Sequence, residues 1–130
     1  MITGIGIDIV DVKRIKKIYN QYGVKFTDRI LSEEEKDEFE RKFELNSENN
    51  SIYIAGRFAA KESAAKALGT GISNGFSFRD FSVTGNPDKP ELKLNGPARS
   101  FAGDVRAWIS ISHLDQYAIA VVVFEKVNNL

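Results

Sequence analysis

The sequence predicts an α+β fold in which a long central helix packs on an antiparallel sheet. An alanine-rich stretch at 52–68 carries the strongest helical pattern of the chain. Two apolar strand patterns at 107–112 and 117–125 are separated by a turn at 114–116, a spacing typical of an antiparallel hairpin. Because helices and strands are mixed along the chain and the last two strands are joined by a hairpin, the α+β class follows.

The composition limits the possible classes of protein. The 130 residues include 18 Lys and Arg against 18 Asp and Glu, so the formal net charge is +0 and general binding of nucleic acid is not expected. There is no Cys and one His, which excludes thiolate chemistry and metal sites built from several histidines. We expect one domain over 1–130 with one hydrophobic core. No stretch resembles a targeting signal or a membrane span, so the sequence predicts a cytoplasmic protein without a membrane partner.

The first predicted strand covers 2–10, which are apolar and rich in β-branched side chains. Within it, Gly4 and Gly6 would permit another part of the backbone to approach closely. They are not a dinucleotide-binding fingerprint, because Ile9 stands where that motif needs its third glycine. Asp11 is a plausible N-cap for a short helix that follows directly.

Two further helices are predicted between residues 33 and 68. Ser32 followed by Glu35 is a capping-box signature, which indicates a helix over 33–43 with an acidic first turn. The alanine-rich helix comes next, after a loop-like stretch at 45–51. The last residue of that loop, Ser51, is a candidate cap for the helix.

The C-terminal part is predicted to hold four strands and a short helix. Gly69 is expected to end the alanine-rich helix, with a loop following through Gly75. Turn-forming residues at 85–90 separate the first two strands, and Asn95 with Pro97 is typical of the start of a short helix. We place the strands at 81–84, 91–94, 107–112 and 117–125.

Asp8 is the first candidate for chemistry, because it lies within an apolar run of the first strand. An isolated carboxylate in such surroundings is costly unless it is paired, protonated or bound to a metal ion. The structural alternative is an Asp at the end of a strand, partly solvated or capping the next helix. Asp11 is the better cap, which leaves Asp8 without an obvious structural role.

A second candidate group lies on the alanine-rich helix. Glu62 and Lys66 are four residues apart and share a helix face, with Phe58 one turn earlier. Taken alone, they can form a surface ion pair worth about 0.3–0.5 kcal/mol. Combined with Asp8, Glu62 could instead share Mg²⁺, which takes oxygen ligands and substrate phosphates. Lys66 and Arg57 would then supply positive charge for a phosphate, as in phosphoryl-type transfer.

Two other features each allow two interpretations. The first predicted helix carries four basic side chains, namely Lys13, Arg14, Lys16 and Lys17. They form either a solvated helix face or a docking surface for an acidic protein partner. His113, at the end of an apolar strand, is either a hydrogen-bonded structural residue or a ligand contact at the rim of the sheet. The glycines at 69–71 are better explained by capping than by phosphate binding, because a helix C-terminus repels anions.

Three stretches of the sequence resemble the holo-[acyl-carrier-protein] synthases, the small bacterial 4′-phosphopantetheinyl transferases. These stretches are GIGIDIVDVKRI, GRFAAKESAAKALGTGI and ISISH. They occur in the order and spacing of the family, and the resemblance spans nearly the whole chain. The family signature is an aromatic residue, two spacers, Lys-Glu, three spacers and Lys, and it is met by Phe58, Lys61, Glu62 and Lys66.

The resemblance implies a 4′-phosphopantetheinyl transferase fold and a Mg²⁺-dependent reaction with coenzyme A as co-substrate. The 4′-phosphopantetheine group would move to a serine hydroxyl of apo-acyl carrier protein, with release of adenosine 3′,5′-bisphosphate. Such a reaction supports fatty acid biosynthesis. Which carrier proteins are accepted, and whether Mg²⁺ or Mn²⁺ is used, stays open.

The resemblance also implies roles for individual residues. Asp8 and Glu62 would hold the metal, while Lys66 would stabilise charge on the phosphates and the leaving group or move a proton. Glu62 is also a candidate for deprotonating the serine, directly or through a metal-bound water. Contacts with coenzyme A are implied for Arg57, Lys61, Gly71 and His113. Contacts with the acidic carrier protein are implied for Lys13, Arg14 and Lys17. The family is typically a homotrimer with active sites at subunit interfaces.

Two hypotheses from other classes remain beside the enzyme. One is a non-catalytic module that binds coenzyme A or a nucleotide, and the other is a purely structural protein. A module that had lost activity would not need the complete set of Asp8, Glu62 and Lys66. The structural hypothesis leaves Asp8 unexplained, so the sequence favours the enzyme.

Overall fold

The computed structural model describes residues 1–43, 49–73, 75–86 and 88–127. Its elements in chain order are β1 (Ile2–Asp11), α1 (Val12–Tyr22), α2 (Val24–Ile30), α3 (Glu33–Lys42), α4 (Asn50–Leu68), a 3₁₀ turn (Phe78–Asp80), β2 (Phe81–Asn86), β3 (Lys89–Leu94), α5 (Gly96–Ala102), β4 (Val105–His113) and β5 (Tyr117–Lys126). Strand β5 lies between β1 and β4 and is antiparallel to both, while β2 and β3 form a separate antiparallel hairpin. Helix α4 packs on β1 and β5. The predicted α+β class, with a long helix on an antiparallel sheet, is therefore confirmed.

Glycines in β1 allow α4 to lie directly against this strand. A Cβ atom added to Gly6 would come within 1.9 Å of the backbone oxygen of Ser63, and one added to Gly4 would come equally close to the backbone oxygen of Ala67. No side chain can occupy such a space, since a contact under 3.0 Å requires the backbone to move. The close approach expected from the sequence is thus confirmed, and α4 is the element that makes it.

Small side chains fill the space between α4 and the sheet. Ala59, Ala60 and Ala64 of the helix are completely buried, as is Ala118 of β5. Ser63, also buried, donates its hydroxyl proton to backbone carbonyls of α4 and β5. Because these residues project little, the helix and the sheet pack closely, and the larger side chains of α4 extend to either side of this layer.

The predicted caps of α1 and α3 are present. The side chain of Asp11 accepts a hydrogen bond of 2.9 Å from the backbone N–H of Lys13 and so begins α1. Ser32 and Glu35 form both bonds of the capping box that begins α3. These signals are local, so the sequence predicts them without knowledge of the rest of the fold.

The beginning of α4 differs from the expectation. The helix begins at Asn50 with Asn49 as its cap residue, so Ser51 is not the cap and lies buried in the first turn. Of the loop expected at 45–51, residues 45–48 fall outside the described ranges. Burial explains the difference at Ser51, whose hydroxyl bonds to the neighbouring Asn50 side chain.

Helix α2 and the longer hairpin are further differences from the expectation. Helix α2, which was not predicted, has seven residues and follows Gly23, whose φ of 56° breaks the backbone direction after α1. Strands β2 and β3 extend into the expected turn at 85–90, where Gly85 pairs with Pro90. Gly85 has a φ of +88°, a conformation that favours glycine, so the chain can reverse within fewer residues than the composition suggested.

The outer face of the three-stranded sheet is left uncovered. Ile5, Ile7 and Ile9 of β1 are 67%, 57% and 62% exposed, and Trp108 of β4 is 51% exposed. These side chains alternate with buried residues, which places them together on the face opposite α4. Within the described ranges, no helix has the length and hydropathy that crossing a bilayer requires.

Candidate active site

Asp8 and Lys66 meet where β1 lies against α4. The Nζ atom of Lys66 donates hydrogen bonds of 3.0 Å to Asp8 Oδ1 and to the backbone oxygen of Ile7. Asp8 is half-buried, and Lys66 is the one strongly exposed side chain in the second half of the helix. The ion pair therefore joins the two sequence motifs in space and gives the carboxylate of Asp8 a partner among its apolar neighbours.

Glu62 faces the same space one turn earlier on α4. Asp8 and Glu62 both line a cavity of about 490 Å³, together with Phe58 of the helix. Partial burial raises the pKa of Glu62 above its usual range, and the charge of Asp8 raises it further, while Lys66 acts in the opposite direction. Two carboxylates facing one cavity repel each other, so a cation placed between them would be favoured.

The two carboxylates suit a magnesium ion whose other ligands come from a bound phosphate-containing molecule and from water. Asp8 and Glu62 provide the oxygen ligands that Mg²⁺ prefers. Among the described residues, there is no group of three or more His, Cys, Asp or Glu that could hold a metal. The chain would therefore supply two oxygen ligands to such an ion, and phosphate oxygens and waters would supply the others.

The basic helix α1 borders this cavity. Arg14 lines it beside Asp8 and Glu62, whereas Lys13 lines a neighbouring cavity of about 650 Å³ together with Asp115. Lys17 lies on the exposed face of the same helix. The expected partner-binding residues Lys13, Arg14 and Lys17 are thus all exposed, and Arg14 is the one of the three that lines the cavity of the carboxylates.

A second cavity lies on the other side of α4. It measures about 540 Å³ and is lined by Arg57 and His113, two of the residues expected to contact coenzyme A, and by Lys42 and Asp88. Strand β4 and the β2–β3 hairpin form its walls, while β1 and α1 form the walls of the carboxylate cavity. Glu62 follows Arg57 by five residues, which is about 140° around the helix. One chain therefore does not bring Arg57 and His113 to Asp8 and Glu62.

Lys61 lies in the core, which corrects the expected contact with coenzyme A. Its side chain is 0% exposed and donates hydrogen bonds to the carboxylate of Glu35 and the backbone oxygen of Ile30. Glu35 also accepts a bond of 2.9 Å from the backbone N–H of Val83. Burial lowers the pKa of Lys61, and the negative charge of Glu35 counteracts this effect. Lys61 therefore connects α2, α3 and α4 and has no surface to offer a ligand.

Gly71 lines neither cavity. It follows α4 with a φ of 68°, and its backbone N–H donates to the carbonyl of Ala65 at 3.2 Å. An added Cβ would meet nothing within 4 Å, so its conformation, and not a close contact, favours glycine here. Its expected contact with coenzyme A stays a prediction.

The sequence interpretation missed Tyr53, Glu38 and Lys42 near the second cavity. The guanidinium carbon of Arg57 lies 4.0 Å from the centre of the Tyr53 ring, and Arg57 Nη2 lies 3.7 Å from Glu38 Oε1. Glu38 Oε1 also lies 3.0 Å from Lys42 Nζ. Both Tyr53–Arg57 and Glu38–Lys42 have the i,i+4 spacing of neighbours on a helix, and this spacing is the signal that could have found them.

Comparison with known proteins agrees with this geometry. A family model described as the 4′-phosphopantetheinyl transferase superfamily matches residues 4–122. The holo-[acyl-carrier-protein] synthase of Geobacillus sp. (strain WCH70) is 45% identical over 129 residues, which cover 98% of this chain and 100% of that protein.

Solved structures show the same similarity. A holo-(acyl-carrier-protein) synthase from Bacillus anthracis str. Ames, in complex with CoA (3′,5′-ADP), has a TM-score of 0.82 and 38% identity, with 98% of this chain and 99% of that chain covered. The holo-[acyl-carrier-protein] synthase from Neisseria meningitidis has a TM-score of 0.83 and 41% identity, with 97% and 100% covered. This chain therefore belongs to the 4′-phosphopantetheinyl transferase superfamily, as one of its holo-[acyl-carrier-protein] synthases.

Proposed function

We propose that the chain transfers the 4′-phosphopantetheine group of coenzyme A to a serine hydroxyl of an apo-acyl carrier protein and releases adenosine 3′,5′-bisphosphate. A new bond forms between the serine oxygen and the phosphorus that carries pantetheine, and the pyrophosphate P–O bond to the nucleotide breaks. The observation that supports this most is that Asp8 and Glu62 line one cavity while Lys66 is paired with Asp8, in a chain of this family. The product would support fatty acid biosynthesis, and a cytoplasmic location stays the prediction from the sequence.

Asp8 and Glu62 are the residues that would hold Mg²⁺ in this reaction. When bound, the metal neutralises charge on the pyrophosphate. Lys66 lies 3.0 Å from Asp8, within reach of the same phosphates, and would stabilise charge that develops on the leaving oxygen. Asp8 thereby has a second effect, because it fixes the position of the Lys66 ammonium group.

Glu62 is suited to accept the proton of the serine hydroxyl. Partial burial and the nearby Asp8 raise its pKa, so its carboxylate holds a proton more readily than an exposed glutamate does. A general base works best when its pKa lies near the working pH. The proton would move from the serine oxygen to Glu62, directly or through one water.

The second cavity is suited to the nucleotide end of coenzyme A. Arg57, His113 and Lys42 line it, and an arginine and a lysine together favour the dianionic 3′-phosphate. In one chain, α4 separates this cavity from the carboxylates. We therefore propose that one coenzyme A spans two copies, with Arg57 and His113 of one copy completing the site of the next.

The uncovered face of the sheet supports a homotrimer. Ile5, Ile7, Ile9 and Trp108 form an apolar surface that a soluble monomer rarely leaves exposed. Trp is also a residue type enriched at the centres of protein interfaces. A closed ring with one repeated contact would cover this face in every copy. At every interface it would bring the carboxylate cavity of one copy next to the Arg57 cavity of another.

The exposed face of α1 would receive the carrier protein. Lys13, Arg14 and Lys17 give this helix local positive charge on a chain whose net charge is zero. Charge complementarity with an acidic helix would orient the carrier protein, and Arg14 borders the carboxylate cavity where its serine must arrive.

The test of the proposed function is incubation of the purified protein with coenzyme A, Mg²⁺ and apo-acyl carrier protein, followed by mass spectrometry of the carrier protein. We expect the mass to increase by one phosphopantetheine group and the increase to require the divalent ion. A panel of carrier proteins would define the acceptor range. Calorimetric binding of coenzyme A without transfer to any carrier protein would instead support the non-catalytic binding module.

A further inference from the structure

Arg57 is held in place by its own protein. Its guanidinium carbon lies 4.0 Å from the centre of the Tyr53 ring, a distance typical of a cation–π contact. On the side of α3, Nη2 lies 3.7 Å from Glu38 Oε1. The buried Nε atom has no hydrogen-bond partner among the residues described. The aromatic ring and the carboxylate, and not a hydrogen bond from Nε, therefore set the position of the guanidinium group.

The Tyr53 ring is itself fixed. It is 8% exposed, and its hydroxyl donates a hydrogen bond of 3.4 Å to the backbone oxygen of Glu35. Its ring centre lies 5.6 Å from that of Phe39 and 5.3 Å from that of Phe43. Aromatic neighbours and the anchored hydroxyl leave the ring little freedom to turn, so it forms a rigid support for Arg57.

The guanidinium group lies at a cavity with several charges. Arg57, Lys42 and His113 line it, and Asp88 is an acidic residue of the same wall. Glu38 contacts both Arg57 and Lys42, so one carboxylate is shared by two cations. Arg57 and Lys42 therefore balance the two carboxylates of Glu38 and Asp88. The feature that suits a phosphate is the planar guanidinium group of Arg57, which binds phosphate oxygens with a defined geometry.

We propose that Tyr53 is a positioning residue that holds Arg57 ready to bind the 3′-phosphate of coenzyme A. The proposal rests on the proposed function, which assigns this cavity to the nucleotide end of the substrate. Arg57 binds the phosphate, and Tyr53 acts through Arg57 without touching the ligand. A flexible arginine loses rotamer freedom on binding, and the aromatic support removes part of this cost before the ligand arrives.

The experiment compares coenzyme A with 3′-dephospho-coenzyme A, which lacks the phosphate in question. For each variant, the ratio of the two KM values in the transfer assay and the ratio of the two dissociation constants by calorimetry are measured. Tyr53→Leu removes the ring, and we expect it to reduce the preference for coenzyme A by roughly three- to tenfold. The effect should appear in KM more than in kcat, because the reacting bond is at the other end of the substrate.

Tyr53→Phe is the matched control. It keeps the ring and removes the hydroxyl, so we expect a preference for coenzyme A close to that of the wild type. Arg57→Lys keeps the positive charge and loses the planar guanidinium group, so it should also reduce the preference for coenzyme A. Because Arg57 is partly exposed, this variant can be measured even if Tyr53→Leu fails to fold. The double variant Tyr53→Leu/Arg57→Lys should show little more loss than either single variant, since both changes remove one contact.

The proposal is overturned if folded Tyr53→Leu keeps the preference of the wild type, or if Tyr53→Phe loses as much preference as Tyr53→Leu. It is also overturned if both Arg57→Lys and Tyr53→Leu raise the KM for the two donors equally. Failure of the proposed function looks different, since no variant and no wild type would then modify a carrier protein. The calorimetric ratio still decides the role of Tyr53 in that case.

Discussion

The two sides of helix α4 differ in charge and in whether contacts within the protein already hold their charged side chains in a binding position. Towards β1, the carboxylates of Asp8 and Glu62 face one cavity, where partial burial raises the pKa of Glu62 and the charge of Asp8 raises it further. Towards β4, Arg57 is already stacked on Tyr53 and held near Glu38. The first side favours an incoming cation, and the second favours an incoming anion.

The difference teaches how one long alanine-rich helix can present different charged side chains on two of its sides. The small residues of α4 make the packing layer against the sheet, and the functional side chains extend on either side of that layer. Because the two sides face away from each other, the proposed binding of one coenzyme A by both sides requires a contact between copies. Under this proposal, assembly is part of the active site.

The largest effect is expected from removing the charge of either carboxylate. Glu62→Gln and Asp8→Asn should each lower the rate of transfer by about 10²–10³-fold, the range typical for loss of one preorganised electrostatic group. The rate is measured by mass spectrometry of the carrier protein. Asp37→Asn, at an exposed acid of α3, serves as the control and should transfer like the wild type. Near-normal transfer by either test variant would contradict the metal-ligand assignment.

The second prediction tests whether the two sides act across copies. Glu62→Gln lacks a charged group of the carboxylate cavity, and Arg57→Ala lacks a charged group of the second cavity. Each variant is first assayed alone at a low concentration of coenzyme A. If both variants are unfolded and refolded together, random assortment should restore about one quarter of the sites. Chains mixed after separate refolding, without exchange, provide the control. No recovery in the co-refolded sample would show that both sides of the site come from one chain.

The third prediction concerns the uncovered sheet face that would bring the two sides together. Ile7→Asp places a charge on this face without disturbing the core, because the side chain is 57% exposed. If this face forms the proposed trimer contact, sedimentation should show a smaller species than the wild type, and transfer should fall, while far-ultraviolet circular dichroism stays unchanged. Val24→Asp, at a 69% exposed residue of α2, is the matched control and should leave assembly intact. A trimer that survives Ile7→Asp would exclude this face from the contact.

The elements that the sequence predicts well are those with local signals. Asp11 caps α1 and Ser32 with Glu35 begins α3, since each cap needs residues within one turn. Gly4 and Gly6 pointed to a close backbone contact, although the partner helix was not identifiable from the strand alone. Helix α2 was not predicted, because its seven residues are too few to show a clear helical period of apolar side chains.

In the candidate site, too, the sequence predicts less well those contacts that join residues far apart in the chain. A carboxylate in an apolar strand pointed to Asp8, and the i,i+4 pair with Lys66 pointed to Glu62; the structure places both carboxylates at one cavity. The family motif suggested a ligand contact for Lys61, yet its burial depends on Glu35, which is 26 residues away in the chain. Tyr53 was missed because an aromatic residue on an alanine-rich helix is usually core packing, although its i,i+4 spacing from Arg57 on the same helix was a local signal of their contact.

The smallest expected effect concerns stability on the carboxylate side of α4. The pKa of Glu62 is raised from its usual value of 4.5 in the folded chain, so the folded state binds this proton more tightly than the unfolded state does. Stability from this group is therefore full below pH 4.5 and is lost as the pH rises through the raised pKa. Glu62→Gln removes the charge, so without metal it should unfold at a slightly higher temperature than the wild type at pH 7, with the difference vanishing below pH 4.5.

The same thermal scans with Mg²⁺ separate repulsion between the carboxylates from a structural role of Glu62. Added metal should raise the unfolding temperature of the wild type and leave that of Glu62→Gln nearly unchanged, because a ligand stabilises the folded state only where it binds. A variant less stable than the wild type at pH 7 would mean that the attraction between Glu62 and Lys66 outweighs burial and the charge of Asp8. The carboxylate side would then be arranged in advance like the Arg57 side, and the contrast between the two sides of α4 would be lost.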